Sequence, residues 1–285
     1  MYVLCSPCVL NPALRAEGIT RQSDLDLFRQ VIARCDRFGI GIVPLPCPET
    51  LYLGQERKPG TFLERLNTPA FMRLMDRLDE GVNDIIRERG PPLCIIGVNS
   101  SPTCGVTSTY YGEEAGRPAK REGRGVFLSR LPEIPAFDVA VFARYRVYLA
   151  APLFSEAERS FNASVARTLG SHLFDVHLPQ ETGDDCDTRD IREQERLFSV
   201  NKTALDTSDF IVAIIDGADA DSGTAWEMGY AFARGKPVIA LRTDFRRVGH
   251  HEQVNLMLEQ SAKVVGSVKE VLAALNSPCL KTESR

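Results

Sequence analysis

At 285 residues, with 44% hydrophobic and 25% charged residues, the chain has a globular composition and room for two domains that each bury a core. A net charge of −4 gives no electrostatic case for a nucleic-acid or membrane surface, and no apolar run approaches the ~20 residues that span a bilayer. The stretch Met1 to Cys5 lacks the charged region and long apolar segment of a signal peptide, so the expected location is cytoplasmic.

Residues 2–5 read as a short apolar strand. Residues 24–38 place Phe28, Val31, Ile32 and Cys35 at helical spacing before Gly39. A second strand, 40–43, runs into Pro44-Leu-Pro-Cys47-Pro-Glu49. Thr68-Pro69 then opens a helix with Phe71, Met75, Leu78, Val82, Ile85 and Ile86 on one side. A third strand, 93–98, ends in Asn99-Ser-Ser-Pro-Thr-Cys104-Gly. This β-α-β-α-β order predicts a parallel sheet with right-handed crossovers. Residues 106–125, polar and rich in glycine and charge, read as a mobile loop, and 132–144 as the end of the first domain.

A second domain restarts with a strand at 146–150. Ser155 and Glu158 form a capping box, and Phe161, Val165 and Leu169 line one helix face. A strand at 173–178 and a helix over roughly 188–207 follow. The strand 210–215 leads through the acidic turn Asp216-Gly-Ala-Asp219-Ala-Asp221 into a helix opened by Ser222 and Gly223, whose apolar face is expected to carry Ala225, Met228 and Phe232. Strands at 237–241 and 263–265 and a final helix capped by Ser267 complete five β-α units. The expected fold class is α/β, two different domains in tandem (1–143 and 144–285), each a mainly parallel sheet flanked by helices, the second flavodoxin- or Rossmann-like.

Six of eight cysteines fall in the first 104 residues. Such a cluster in a cytoplasmic protein favours metal binding or catalysis over disulfides. Cys8, Cys47 and Cys104 each lie just past the C-terminal end of a predicted strand, and those ends converge where open α/β sheets bind ligands. Three thiolates there could hold a metal or an iron–sulfur cluster. Cys35 and Cys94 read as buried small hydrophobes, and Cys186 and Cys279 as incidental.

Ser6-Pro-Cys8-Val-Leu, Pro46-Cys47-Pro-Glu49, Ser101-Pro-Thr-Cys104-Gly and Gly123-Arg-Gly-Val-Phe-Leu resemble the family of thiouracil and thiouridine desulfidases over roughly residues 1–143. The resemblance implies a [4Fe-4S] cluster on Cys8, Cys47 and Cys104 with one iron free to take sulfur from a thiolated pyrimidine, and makes Glu49 and Ser101 candidate proton handlers. Cys5 is an added thiol. As a fourth ligand it would close the cluster, and a zinc site on Cys5, Cys8, Cys47 and Cys104 is the competing metal reading.

In the second domain, Val147-Tyr-Leu-Ala-Ala-Pro-Leu-Phe-Ser-Glu-Ala-Glu-Arg159, Leu178-Pro-Gln-Glu181, Ser208-Asp209, Asp221-Ser-Gly-Thr-Ala-Trp-Glu227-Met-Gly-Tyr-Ala231 and Asn255-Leu-Met257 resemble the nucleoside 2-deoxyribosyltransferase family over roughly 145–276. The resemblance implies that Glu227 attacks the sugar C1′ to form a covalent glycosyl-enzyme. A carboxylate suits this step because it stabilises an oxocarbenium-like transition state and then traps it. Asp221 would contact the sugar hydroxyls, Ser222, Gly223, Gln180, Tyr148 and Phe154 the substrate, and Asn255 would reach the sugar 5′-hydroxyl from a neighbouring subunit, implying a homo-oligomer. Asp216 or Asp219 is the candidate acid, because Asn201 occupies the position of a helical aspartate. A carboxylate at 221 would repel a phosphate, which favours a nucleoside over a nucleotide. Asp209 reads as a strand terminator, Trp226 as core packing, and Arg242, Arg246 and Arg247 as a solvated loop; the histidines (His172, His177, His250, His251) have no metal-like spacing.

The leading expectation is a bifunctional pyrimidine-salvage enzyme, cleaving or exchanging an N-glycosidic bond and removing sulfur. The alternative is a nucleoside 5′-monophosphate N-glycosidase whose first domain is a metal-binding or redox-sensing module.

Overall fold

A computed structural model of the chain describes residues 1–182, 190–245 and 254–277. Arg246, Arg247, His250, His251, Cys186 and Cys279 lie outside the described residues. The chain divides into two compact units, Met1–Ala143 and Arg144–Arg285.

In the first unit, the apolar segments β1 (Tyr2–Cys5), β2 (Gly41–Pro44) and β3 (Ile95–Gly97) form parallel strands. Tyr2 pairs with Gly41, and Leu4 with both Val43 and Ile95. Strand pleating sends Tyr2 and Leu4 to one face, where they pack with Ile95, Cys104, Phe127 and Leu128 under Phe71, Met75 and Val82 of the helix Pro69–Arg89. By the same alternation Val3 and Cys5 face the other side.

Two segments differ from their sequence reading. Residues 106–125 are not a loop throughout: β4 (Ser108–Glu114) and β5 (Arg117–Glu122) form an antiparallel hairpin. Its turn residues Ala115 and Gly116 have φ of 50° and 72°, the left-handed pair that matches strand twist in a two-residue turn. The charges that suggested solvation cover aromatic rings instead, with Lys120 over Tyr110 and Arg121 3.7 Å from the centre of Tyr111. The end of the unit contributes a fourth parallel strand, β6 (Ala136–Asp138), giving the order β2-β1-β3-β6. At three residues it is too short to show a period.

The second unit orders β7 (Arg146–Ala150), β8 (Asp175–His177), β9 (Phe210–Ile214), β10 (Val238–Leu241) and β11 (Lys263–Val265) as β8-β7-β9-β10-β11, all parallel. The chain reverses its direction of growth between β7 and β9, so the crevice at their C-terminal ends is the binding position of such a sheet. The helix Ser222–Ala233 buries Thr224, Met228 and Ala231. That face is rotated from the expected one: Phe232 is 49% exposed. Among the described residues no helix is long and apolar enough to cross a membrane.

Candidate active sites

The first site lies at the C-terminal ends of β1, β2 and β3. Cys8 sits in the short helix Pro7–Leu10 that follows β1, and Cys47 caps the helix Pro48–Leu53 after β2. Cys104 lies on the loop after β3. Burial pushes the Cys8 thiol up to about 12 and the Cys104 thiol higher still, and Cys47 is near enough to be the next contribution to each. Among the described residues no three His, Cys, Asp or Glu side chains are gathered closely enough to hold a metal ion. A single zinc would draw its sulfurs to within about 4 Å of one another.

Polar groups surround these sulfurs. The Thr50 hydroxyl and amide donate to Cys47 Sγ at 3.1 and 3.5 Å, and the Thr103 hydroxyl lies 3.6 Å from Cys104 Sγ. Glu49 Oε1 accepts from Ser101 Oγ at 3.0 Å and Thr103 Oγ1 at 2.8 Å, while the buried Arg57 places Nε 3.6 Å from Oε2. Ser101 Oγ in turn accepts the Cys104 amide at 3.0 Å. The loop is built around Asn99, whose Oδ1 takes the amides of Val106, Thr107 and Ser108. It packs backbone against backbone: a Cβ on Gly97 would lie 2.5 Å from the Cys104 carbonyl, and one on Gly125 2.4 Å from the Thr103 carbonyl carbon. Strand alternation turns Cys5 to the sheet face opposite the cluster that contains Cys104, yet its thiol is near enough for Cys8 and Cys104 to add to the burial that pushes it far above its ordinary range.

The second site opens between β7 and β9. Asp221 caps the helix Ser222–Ala233 by accepting the Thr224 amide at 3.0 Å, and Glu227 lies on the second turn. Tyr148 of β7, fully buried, donates its hydroxyl to Glu227 Oε1. Burial pushes the Glu227 carboxyl up to about 7, the Tyr148 hydrogen bond pulls it down, and the Asp221 charge raises it again. Burial and Glu227 together push the Tyr148 phenol far above its ordinary range. Ser222 and Gly223 are exposed at the helix start, where backbone amides face outward. A buried carboxylate held by a phenol beside a second carboxylate is equipped to meet positive charge developing on a ligand.

Residues 147–265 match a family model described as nucleoside 2-deoxyribosyltransferase. The second unit carries a domain of that family. Among curated relatives, the uncharacterised protein MJ0003 of Methanocaldococcus jannaschii is 30% identical over 107 residues, 36% of this chain and 63% of that protein. The chain therefore spans less than two thirds of that relative's length. The uncharacterised protein UU063 of Ureaplasma parvum is 31% identical over 125 residues, 39% of this chain and 78% of that one. Among solved structures, a 2-deoxyribosyltransferase of Bacillus psychrosaccharolyticus is 27% identical, with 46% of this chain and 95% of the other covered and a TM-score of 0.38. A [4Fe-4S]-dependent thiouracil desulfidase is 20% identical over 48% of this chain and 89% of the other, with a TM-score of 0.33.

In the deoxyribosyltransferase-family unit the remaining candidates are dispersed. Gln180 is tied into the scaffold, its amide bonded to Asn162 and to the Arg159 carbonyl. Phe154 is 79% exposed. Asn255 caps the helix Leu256–Ser261 through the Met257 amide. The acidic turn has a mechanical use: Asp216 accepts the amides of Thr243 and Asp244 and the Thr243 hydroxyl, joining the ends of β9 and β10. The candidate acid is thus occupied by three donors in this structure. Arg242 is a buried strut donating to the Ile215 and Gly217 carbonyls and not part of a solvated loop. Asp209 accepts the amides of Tyr145 and Arg146 and the Arg146 guanidinium, fastening β7 to β9. Trp226 is not core: it is 49% exposed, stacked on Tyr230 at 5.2 Å and beside Phe198.

One pair had no signal in spacing. His177, at the end of β8, pairs in register with Tyr148, stacks on its ring at 5.3 Å, and bonds through Nε2 to Asn201 Oδ1 at 3.0 Å. The sheet order alone puts β8 beside β7, which a list of histidine positions does not reveal.

Proposed function

We propose that the second unit transfers or releases the sugar of a (2′-deoxy)nucleoside through a covalent bond between C1′ and Glu227. The contact of the Tyr148 hydroxyl with Glu227 at the β7–β9 crevice carries this reading. The phenol fixes one carboxylate oxygen and leaves the other to approach C1′ from one side, so that attack by a second acceptor returns the original anomeric configuration. Asp221, close enough to raise the Glu227 carboxyl, is suited to accept hydrogen bonds from sugar hydroxyls and repels a phosphate at the same place. Leu256 and Met257, 53% and 75% exposed beside Asn255, support a site completed by a second copy of the chain. The decisive experiment is Glu227→Ala assayed for release of base from a 2′-deoxynucleoside series; turnover that survives would remove the assignment.

For the first unit we propose sulfur removal from a thiolated pyrimidine. Cys8, Cys47 and Cys104 would hold a [4Fe-4S] cluster, which supplies an iron site that takes up the sulfur. Three soft thiols at one sheet edge, near enough for Cys47 and Cys8 to add to the burial that raises the Cys104 thiol, are the ligand type such a cluster uses. Thr50 donates two hydrogen bonds to Cys47 Sγ, fixing the direction of that side chain. Ser101 keeps its hydroxyl proton aimed at Glu49, the pair through which a proton can reach the departing base or sulfur. In this reading the protein is a cytoplasmic, bifunctional salvage enzyme. Iron and sulfide analysis of anaerobically purified protein, followed by assay with 4-thiouridine and 2-thiouracil, tests it.

A further inference from the structure

Breaking an N-glycosidic bond leaves an electron pair on the base nitrogen, and a proton delivered there as the bond stretches lowers the barrier. The donor must lie about one ring's width from the nucleophile. The carboxyl groups nearest Glu227 are poorly placed for this. Asp216 is engaged by three donors between β9 and β10, and Asp221, which holds the helix cap through Oδ2, is assigned to the sugar hydroxyls and not to the base. The Tyr148 hydroxyl proton is engaged in its hydrogen bond to Glu227. Asn201, an amide, has no proton to lose.

What Asn201 does is hold His177. Its Oδ1 lies 3.0 Å from Nε2, which assigns the Nε2 proton to that bond and leaves Nδ1 as the nitrogen that gains and loses a proton. Among the described residues Nδ1 has no hydrogen-bond partner. The ring is half-buried and stacked on Tyr148, with centres 5.3 Å apart and planes inclined by 21°. It is therefore set one aromatic ring away from the phenol that grips the nucleophile. Register pairing of Tyr148 with His177 puts both side chains on one face of the sheet, at its C-terminal edge.

We propose that His177 is the acid that protonates the departing base, with Asn201 as its positioning residue. This rests on the reading of Glu227 as nucleophile. As the C1′–N bond breaks, its electron pair goes to the base nitrogen, which takes the Nδ1 proton of the imidazolium, while a Glu227 oxygen forms the bond to C1′. In the second half the neutral imidazole takes a proton from the acceptor, a second base or water, as that acceptor bonds to C1′ and the Glu227 ester breaks. The imidazolium is regenerated and no other reactant is consumed.

The test compares 2′-deoxyuridine with 5-nitro-2′-deoxyuridine, whose base leaves readily as an anion and needs no proton. His177→Gln is expected to slow the first on the order of 100-fold or more while changing the second less than about threefold. Asn201→Ala, which keeps the imidazole but releases its orientation, is expected to show the same selective loss to a smaller extent. Equal losses on both substrates, or no loss on 2′-deoxyuridine, would overturn the proposal. Glu227→Ala separates it from its parent reading. If that variant is inactive on both substrates while His177→Gln shows no selectivity, only the role of His177 fails. If Glu227→Ala retains activity on both, the nucleophile fails first.

Discussion

The Tyr148 hydroxyl donates to Oε1 of Glu227 across the crevice where the second sheet reverses its direction of growth. A phenol on β7 thereby opposes the larger effect of burial on a carboxylate of the helix that follows β9. The consequences for rate and stability have opposite signs.

For rate, Glu227 attacks as the carboxylate, and its carboxyl titrates at about 7. Activity per enzyme, measured as kcat/KM on 5-nitro-2′-deoxyuridine, whose base leaves without an acid, is expected to fall about tenfold for each pH unit below that midpoint and to level off above it. Tyr148→Phe removes a hydrogen bond that favours the ionised form, so the acid limb should move to higher pH. Asp221→Asn removes a repelling charge and should move it lower. Initial-rate profiles of the three proteins between pH 5 and 9 check both directions.

For stability, the folded carboxyl at about 7 lies above its ordinary 4.5. The protonated form is the one the fold favours, so this contribution is complete below pH 4.5 and is lost as pH rises through 7. The full difference corresponds to roughly 3 kcal/mol. Glu227→Gln, which is never ionised, is expected to be more stable than the parent at pH 8 by up to about that amount and indistinguishable at pH 4, while inactive. Urea unfolding at the two pH values measures it.

Asp209 binds no ligand in this reading, yet its loss should be severe. Its carboxylate collects the Tyr145 and Arg146 amides and an ion pair with Arg146 at 3.2 Å. Asp209→Ala leaves those donors with no replacement and is expected to cost about 2–4 kcal/mol. Thermal unfolding should shift downward, while the activity of the remaining folded protein keeps its pH profile.

In the first unit, single replacement of Cys8, Cys47 or Cys104 by alanine is expected to abolish iron and sulfide content in anaerobic preparations. Cys5→Ala, altering a side chain on the other face of the sheet, should retain both. Loss of iron from Cys5→Ala alone would move that thiol into the ligand set.

The parallel sheets were legible because their strands are unbroken apolar runs: Tyr2–Cys5, Phe210–Ile214 and Val238–Leu241 are buried along their whole length. What escaped was structure whose stabilisation comes from partners distant in sequence. The hairpin Ser108–Glu122 draws on rings under its cations, and Ala136–Asp138 becomes a strand only because β3 offers it an edge. At the sites, spacing brought out Asp221 and Glu227 because they share one helix. It could not reveal that Asp216 is occupied by Thr243 and Asp244, that Glu49 meets Ser101 and Thr103, or that Asn201 meets His177, since each joins separate elements.

The hairpin leaves and rejoins the Cys104 loop through a stapled neck. Gly123 donates to the Thr107 carbonyl at 2.9 Å and Gly125 to the Gly105 carbonyl at 2.8 Å, so entry and exit are fixed to each other before the first rung of the ladder. Beyond that neck the base of the hairpin is also tied to Ser100, which donates to the Ser108 carbonyl and accepts from the Tyr110 amide, and the tip lies past these ties. The tip around Ala115 and Gly116 is consequently a place where this protein can be lengthened, shortened or grafted with foreign sequence without displacing Cys104.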